Sequence, residues 1–92
     1  MEKFYVITSQ YVQHGLIFNT KKRNIKDLDK AMQVFEETVK AMSEDNEDMV
    51  KDKENYTIEK GGRKGDKYFY CYYKYQPNVS NFSVEMDTEN LE

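Results

Sequence analysis

Several residue types that mark common protein classes are scarce in this chain. It contains one cysteine, one histidine and one proline, and it has no tryptophan. A single cysteine cannot form a disulfide within the chain, and small secreted domains usually carry several, so a reducing cytoplasmic setting is favoured. The apolar runs are far shorter than the roughly 20 residues of a membrane span, and the N-terminal residues lack the apolar segment of a signal peptide.

The same scarcity limits catalysis and metal binding. Nucleophilic catalysis needs a nucleophile beside a base and an orienting group, and His14 and Cys71 form a pair without a clear third member. We expect Cys71 to be buried and His14 to face solvent. No cysteine and histidine spacing fits zinc, and Asp45–Tyr56 lacks the glycine of a calcium loop. The chain is therefore predicted to be non-enzymatic, with no catalytic residue, metal or cofactor.

Length and charge limit the architecture and the partners. The chain has 92 residues and a net charge of −3. This length corresponds to one domain, placed at residues 1–92, with residues 87–92 expected to form a frayed acidic tail. Because the net charge is negative, general attraction to nucleic acid or to an anionic membrane is not expected.

The run Lys67–Tyr75 limits the fold more than any other stretch. Seven of its nine residues are aromatic or cysteine, a composition that favours a β-strand. Because side chains alternate along a strand, its two faces carry Phe69, Cys71, Tyr73 and Tyr75 on one side and Tyr68, Tyr70, Tyr72 and Lys74 on the other. Both faces carry rings, so we expect a central strand with neighbours on both edges. Whether both faces are buried stays open.

Other segments predict the rest of a small sheet. Alternating or apolar composition and flanking turn residues predict strands at Lys3–Val12, Leu16–Thr20, Asn55–Lys60 and Val79–Met86. Glycine-containing turns are expected at Gln13–Gly15 and Gly61–Asp66.

One amphipathic helix is predicted between the second and third strands. Apolar residues recur there at spacings of 3, 4, 3, 4 and 3, at Ile25, Leu28, Met32, Phe35, Val39 and Met42. We place the helix at about Ile25–Glu44 with Asn24 as its N-cap. The following acidic stretch either continues the helix through 45–54 or breaks it near Asp45 and restarts it for a turn.

The predicted order is β-β-α-β-β-β, an α+β fold with an antiparallel sheet and the helix on one face. The other face would then carry exposed tyrosines. Tyrosine gives a large, rigid contact area at low entropic cost, so this face suits protein binding. The expected partner-binding residues are Tyr68, Tyr70 and Tyr72, with Glu44, Asp45, Glu47 and Asp48 steering a basic partner. A second copy of the chain could also cover this face.

The acidic residues suggest what such a partner does. The acidic stretch, together with Glu85, Asp87, Glu89 and Glu92 near the C-terminus, could imitate a phosphate backbone. In size and composition the chain resembles the small inhibitors that phages and mobile elements make against host defence proteins, such as anti-CRISPR proteins. That resemblance implies inhibition of a basic nucleic-acid-binding protein.

Nucleic-acid binding is the alternative, since Lys64–Tyr70 resembles the central-strand motif of RNA-recognition domains, in which strand aromatics stack on bases. In this chain Asp66 and Lys67 stand where that family has an aromatic and a small residue, and the family's βαββαβ order needs two helices. The residues that would contact nucleic acid are the tyrosines with Lys21, Lys22, Arg23, Arg63 and Lys64. An enzyme or small-ligand site without a recognisable motif is the third possibility.

Overall fold

The chain forms one five-stranded antiparallel sheet with its helices packed on one side, in a computed structural model that describes residues 2–91. The elements are β1 Glu2–Gln13, β2 Leu16–Ile25, α1 Leu28–Asp45, α2 Glu47–Lys51, β3 Tyr56–Arg63, β4 Asp66–Tyr73 and β5 Ser80–Leu91. The strand order is β2-β1-β5-β4-β3. The α+β class agrees with the prediction, and the element order differs from it by the short α2. Within residues 2–91, no helix is long and apolar enough to cross a membrane.

The core lies between α1 and one face of the sheet, here called the helix face. Strand alternation sends every second side chain to this face, and the helical spacing supplies the opposing layer. The buried apolar residues of the strands are Ile7, Ile25, Phe69, Cys71, Phe82, Val84 and Met86, and those of α1 are Ala31, Val34, Phe35 and Met42. β4 has neighbours on both edges, as its two aromatic faces predicted.

The β1–β2 hairpin is longer and less regular than the sequence indicated. His14 and Gly15 form its turn with positive φ values of 53° and 81°. The pairing register shifts between Ser9 and Tyr11, and the β2 residue Asn19 in this bulge has a φ of 52°. β2 then continues to Ile25, so the predicted end at Thr20 was wrong. The cause is long-range pairing with β1, which carries the basic residues into the strand.

This extension of β2 also moves the start of the helix. Asn24 pairs with Val6 in the sheet and is not the N-cap. The N-cap is Asp27, whose Oδ2 accepts a hydrogen bond from the Lys30 N–H at 3.1 Å, and α1 begins at Leu28. Ile25 contributes to the core as predicted, but it does so as the last residue of β2 and not as part of the helix.

The open question about residues 45–54 is resolved in favour of a break and restart. Asn46 ends α1, with its Nδ2 donating to the Met42 carbonyl at 2.8 Å and to the Tyr11 hydroxyl at 2.9 Å. α2 follows at once, and its Met49 and Val50 pack against the core.

Two further boundaries differ because pairing extends into turn-like sequence. Gly61 and Gly62 belong to β3, so the β3–β4 turn is only Lys64-Gly65. Residues 87–91, expected to fray, instead continue β5 along β1, with Asp87 opposite Val6; residue 92 lies outside the described residues. In the other direction, β4 ends at Tyr73, before the predicted Tyr75.

Candidate functional site

The candidate site is the face of the sheet opposite α1, here called the open face. Strand alternation places Tyr68, Tyr70 and Tyr72 of β4 on it, because Phe69 and Cys71 point into the core. In the described chain both helices contribute to the core on the other side. Neither helix therefore covers this face, and the prediction of exposed tyrosines is confirmed for Tyr68 alone, because Tyr70 and Tyr72 are partly buried.

The three tyrosines form a strip along alternate positions of β4. The Tyr68 and Tyr70 rings stack with centroids 5.4 Å apart and planes at 25°. Tyr68 is 38% exposed, whereas Tyr70 and Tyr72 are partly buried against neighbouring strands. Phe4 and Val6 of β1, also partly buried, lie on the same face but on the far side of β5. Because β5 places Glu85, Asp87 and Glu89 between them and the tyrosines, the face has two apolar areas separated by carboxylates.

Carboxylates lie directly beside this strip. The Tyr70 hydroxyl donates a hydrogen bond to Oε1 of Glu85 on β5, and the Tyr72 hydroxyl donates to Oε1 of Glu59 on β3 at 2.6 Å. The Glu85 hydrogen bond, together with desolvation and the charges of Glu85 and Asp87, raises the pKa of Tyr70 to about 12. The Glu59 hydrogen bond likewise raises the pKa of Tyr72. Both phenols therefore stay neutral donors at physiological pH.

Asp87 adds to a group of negative charges on β5. Partial desolvation and the neighbouring carboxylates of Glu85, Asp66 and Glu89 raise its pKa, although the residue as a whole is exposed. A raised carboxyl pKa beside like charges indicates a local negative potential. The open face is thus both aromatic and acidic.

The acidic residues predicted to act with the tyrosines lie elsewhere. Glu44, Asp45, Glu47 and Asp48 are at the α1–α2 junction, on the helix side of the sheet. Glu47 pairs with Lys51 within α2. The structure therefore does not bring this acidic stretch and the tyrosines together, because the sheet lies between them, and the predicted steering role of the stretch stays a prediction.

The basic residues predicted for nucleic-acid binding also separate into two groups. Lys21, Lys22 and Arg23 are on β2, at one edge of the sheet, while Arg63 and Lys64 are at the β3–β4 hairpin on the opposite edge. Four strand spacings, about 19 Å, separate these edges. The element order also differs from that of RNA-recognition domains. These cations do not form one patch beside the tyrosines.

Glu59 was missed at the sequence level, and Glu85 was noted only as part of an acidic C-terminal region. The signal for Glu85 is its position between the core residues Val84 and Met86, which assigns it to the open face by alternation. Its place beside Tyr70 depends on the β4–β5 register, which local sequence does not specify.

Cys71 and His14, the pair considered for nucleophilic catalysis, lie in different environments. Cys71 is completely buried in the core, and this desolvation raises its thiol pKa to about 11. His14 is exposed at the hairpin turn, where its backbone N–H donates to the Val79 carbonyl at 2.9 Å. Among residues 2–91, the structure brings together no three histidine, cysteine or acidic side chains suited to hold a metal ion.

Comparison with protein-family models, curated proteins and solved structures found no significant match to the chain. The functional assignment therefore depends on the geometry and charge of its own surfaces.

Proposed function

We propose that the chain is a non-enzymatic protein-binding module whose open face binds a basic surface of a partner protein. The observation that carries this proposal is the strip of Tyr68, Tyr70 and Tyr72 with Glu59 and Glu85 hydrogen-bonded to two of its hydroxyls. The rings supply apolar contact area, and the carboxylates supply charge of one sign at their edges.

This combination suits an arginine- and lysine-rich partner for two reasons. Tyrosine has few rotatable bonds, so it forms large contacts at low entropic cost, and its ring face attracts cations. Carboxylates at the rim of an interface speed association with an oppositely charged protein and exclude acidic competitors. The bonds from Tyr70 and Tyr72 also hold Glu85 and Glu59 in place before a partner arrives.

The proposed partner is a host protein that normally binds nucleic acid, with this chain as its inhibitor. Glu85, Asp87 and Glu89 occupy alternate positions of β5, about 7 Å apart along the strand. Such a row of negative charges resembles the regular charge of a phosphodiester backbone. An origin in a phage or mobile element, and action in the cytoplasm, belong to the same proposal.

Single-stranded nucleic-acid binding is the second candidate. The stacked, partly exposed Tyr68 and Tyr70 rings favour it, because bases stack on such platforms without sequence preference. The carboxylates beside the rings oppose it, since they repel phosphates.

A pull-down from the native host lysate, with nuclease, tests the proposal. The bait variants are Glu59→Lys/Asp87→Lys on the open face and Glu44→Lys/Asp48→Lys at the α1–α2 junction, which make the same change in charge. A Tyr68→Ala/Tyr70→Ala/Tyr72→Ala bait removes the rings, and circular dichroism establishes that each bait is folded.

We expect the parent and the junction variant to retain the same basic protein after nuclease treatment, and the open-face and tyrosine variants to lose it. Purified partner should then bind the parent more slowly as salt is raised. Retention by the open-face variant but not by the junction variant would refute the proposed site. Retention of the protein only when nucleic acid is intact would favour single-stranded nucleic-acid binding. If the chain were a dimer that the tyrosine substitutions dissociate, the open face would bind a second copy.

A further inference from the structure

β2 is an edge strand with a free outer side. It pairs with β1 alone, and it is the terminal strand of the sheet within the described chain. Each residue from Leu16 to Asn24 is exposed. An edge of this kind presents unpaired backbone N–H and C=O groups to which an extended peptide can add as a new strand.

A cleft runs beside this edge, between β2 and α1. Its volume is about 510 Å³, and the buried residues Ser9, Val34 and Met42 contribute to its lining. Lys21 and Arg23 line the β2 side, and Glu37 and Asp45 line the α1 side. The cleft exists because α1 does not extend over the outer strand.

The cations of the cleft have no partner among the described residues. Lys21 and Arg23 form no ion pair there, although carboxylates line the opposite wall. By contrast, Lys26 just beyond the strand pairs with Glu2 at 3.6 Å. Lys21 and Arg23 occupy alternate positions of β2, so both lie on the helix face.

The bulge limits which part of the edge can accept a strand. Asn19 takes a left-handed conformation where the register shifts, whereas Lys21 to Ile25 pair regularly with Ser9 to Tyr5. A bulge interrupts the ladder and twists the edge. The regular, basic segment Lys21–Ile25 is therefore the part of the edge that can accept a strand, separate from the exposed apolar residues Leu16, Ile17 and Phe18 next to the hairpin turn.

We propose that β2 is a second binding site, which accepts an extended acidic segment of a partner protein as a sixth strand along Lys21–Ile25. Carboxylates at alternate positions of that segment lie over Lys21 and Arg23 at the mouth of the cleft, while its backbone bonds to the edge. This site does not depend on the open face or on the function proposed for it.

Charge and geometry favour this occupant over two others. A second copy paired symmetrically through this segment would bring the cations of both chains together, and like charges on paired strands are destabilising. A nucleic acid cannot extend the backbone ladder, and its phosphates would meet Glu37 and Asp45 across the cleft. A peptide can place its carboxylates on the β2 side alone.

Binding of a short fluorescein-labelled peptide of alternating glutamate and valine tests the site. Fluorescence anisotropy gives the affinity, and amide chemical shifts of the full chain locate the peptide. One comparison peptide replaces glutamate with lysine. Two others are acidic versions, one N-methylated at the odd-numbered backbone amides and one at the even-numbered amides (the two N-methylated phases). The protein variants are Lys21→Glu/Arg23→Glu and, as the matched control at the opposite edge, Arg63→Glu/Lys64→Glu.

We expect the acidic peptide to bind with a Kd of about 1 mM or lower, and to lose at least about tenfold in affinity with Lys21→Glu/Arg23→Glu. The control variant should stay within about twofold of the parent, and at least one N-methylated phase should lose at least about tenfold. Amide shifts should concentrate in Lys21–Ile25, and the lysine peptide should not bind.

Absence of binding at about 1 mM peptide would overturn the proposal. So would full affinity retained by both N-methylated phases, which would show charge attraction without strand addition. Amide shifts confined to β3 would place the peptide at the opposite edge of the sheet. If the peptide-free protein were a dimer that Lys21→Glu/Arg23→Glu dissociates, the occupant of β2 would be a second copy. If that variant is unfolded by circular dichroism, Lys21→Ala and the N-methylated peptides still decide the question.

Discussion

Replacing Phe69 with alanine should destabilise the fold several times more than replacing its neighbour Tyr68. The two residues are adjacent on β4, but their side chains lie on opposite faces of the sheet. Phe69 is 8% exposed and stacks on Phe82 with centroids 6.0 Å apart, whereas Tyr68 is 38% exposed on the open face. Comparing the stability of the two variants therefore tests which face of β4 packs in the core, with the strand and the region of the chain held constant.

The magnitudes follow from what each substitution removes. Phe69→Ala leaves a cavity between the sheet and α1, and buried phenylalanine-to-alanine changes lower the free energy of unfolding by about 3–5 kcal/mol. Tyr68→Ala creates no internal cavity and loses mainly its stacking on Tyr70, which contributes about 1 kcal/mol. The expected difference in unfolding free energy is therefore at least about 2 kcal/mol.

Urea unfolding followed by far-ultraviolet circular dichroism measures both values, since the chain has no tryptophan for fluorescence. With a slope of about 1–1.5 kcal/mol per molar urea, the midpoint should fall by about 2–5 M for Phe69→Ala and by at most about 1 M for Tyr68→Ala. Equal costs, or a larger cost for Tyr68→Ala, would refute the assignment of the two faces. Repeating the measurement at several protein concentrations would show whether a second copy contributes.

Two further predictions concern two glycines and a titration. Gly62→Ala should be clearly more destabilising than Gly15→Ala. A Cβ at Gly62 (φ 100°) would lie 2.1 Å from the Asp66 carbonyl oxygen. A Cβ at Gly15 (φ 81°) would meet nothing within 4 Å, so that substitution should cost only about 1 kcal/mol. The same urea assay checks this, and the reverse ranking would contradict the β3–β4 register. Because Tyr70 has a pKa of about 12 in the fold against 10.0 without its surroundings, its stabilising effect should be complete below pH 10 and be lost as pH rises towards 12. Phenolate absorbance, with Tyr70→Phe as the reference, should show Glu85→Gln lowering this pKa; an ordinary Tyr70 pKa in the parent would contradict the Glu85 contact.

Alternation along the strands was enough to predict the fold class and both faces of β4. The start of the helix could not be predicted, because the local signals at Asn24 and Ile25 fit two structures. Asn24 is a good N-cap and Ile25 continues the helical apolar spacing, yet both residues pair with β1. Pairing with β1 outweighed local preference there, and pairing with the adjacent strand β4 did the same at Gly61 and Gly62 in β3.

The candidate site was predictable only in its aromatic half. Tyr68, Tyr70 and Tyr72 follow from periodicity within one strand, which is a local property. Their acidic neighbours depend on the strand order, since Glu85 and Glu59 reach the tyrosines from β5 and β3. That order includes the pairing of β1 with β5, the two ends of the chain. Local sequence contains no signal for a contact of such separation, so the carboxylates that adjoin the tyrosines could not be identified from it.

The width of the sheet explains why the chain has two separate candidate surfaces. A helix with its side chains is about 10 Å wide, whereas five strands span about 19 Å between the outer strand axes. α1 therefore leaves clefts on both sides, of about 510 Å³ beside β2 and about 370 Å³ beside β3 and β4. The opposite side of the sheet has no helix in the described chain.

The two surfaces carry opposite charge, so their partners should be separable. The open face presents Glu59, Glu85 and Asp87 beside the tyrosines, while β2 presents Lys21 and Arg23 without acidic partners among the described residues. A basic partner should be lost with Glu59→Lys/Asp87→Lys and kept with Lys21→Glu/Arg23→Glu, and the acidic glutamate–valine peptide should show the reverse pattern. If one variant abolished both interactions in a protein that remained folded, the two surfaces would be coupled and the independence inferred from their positions would be wrong.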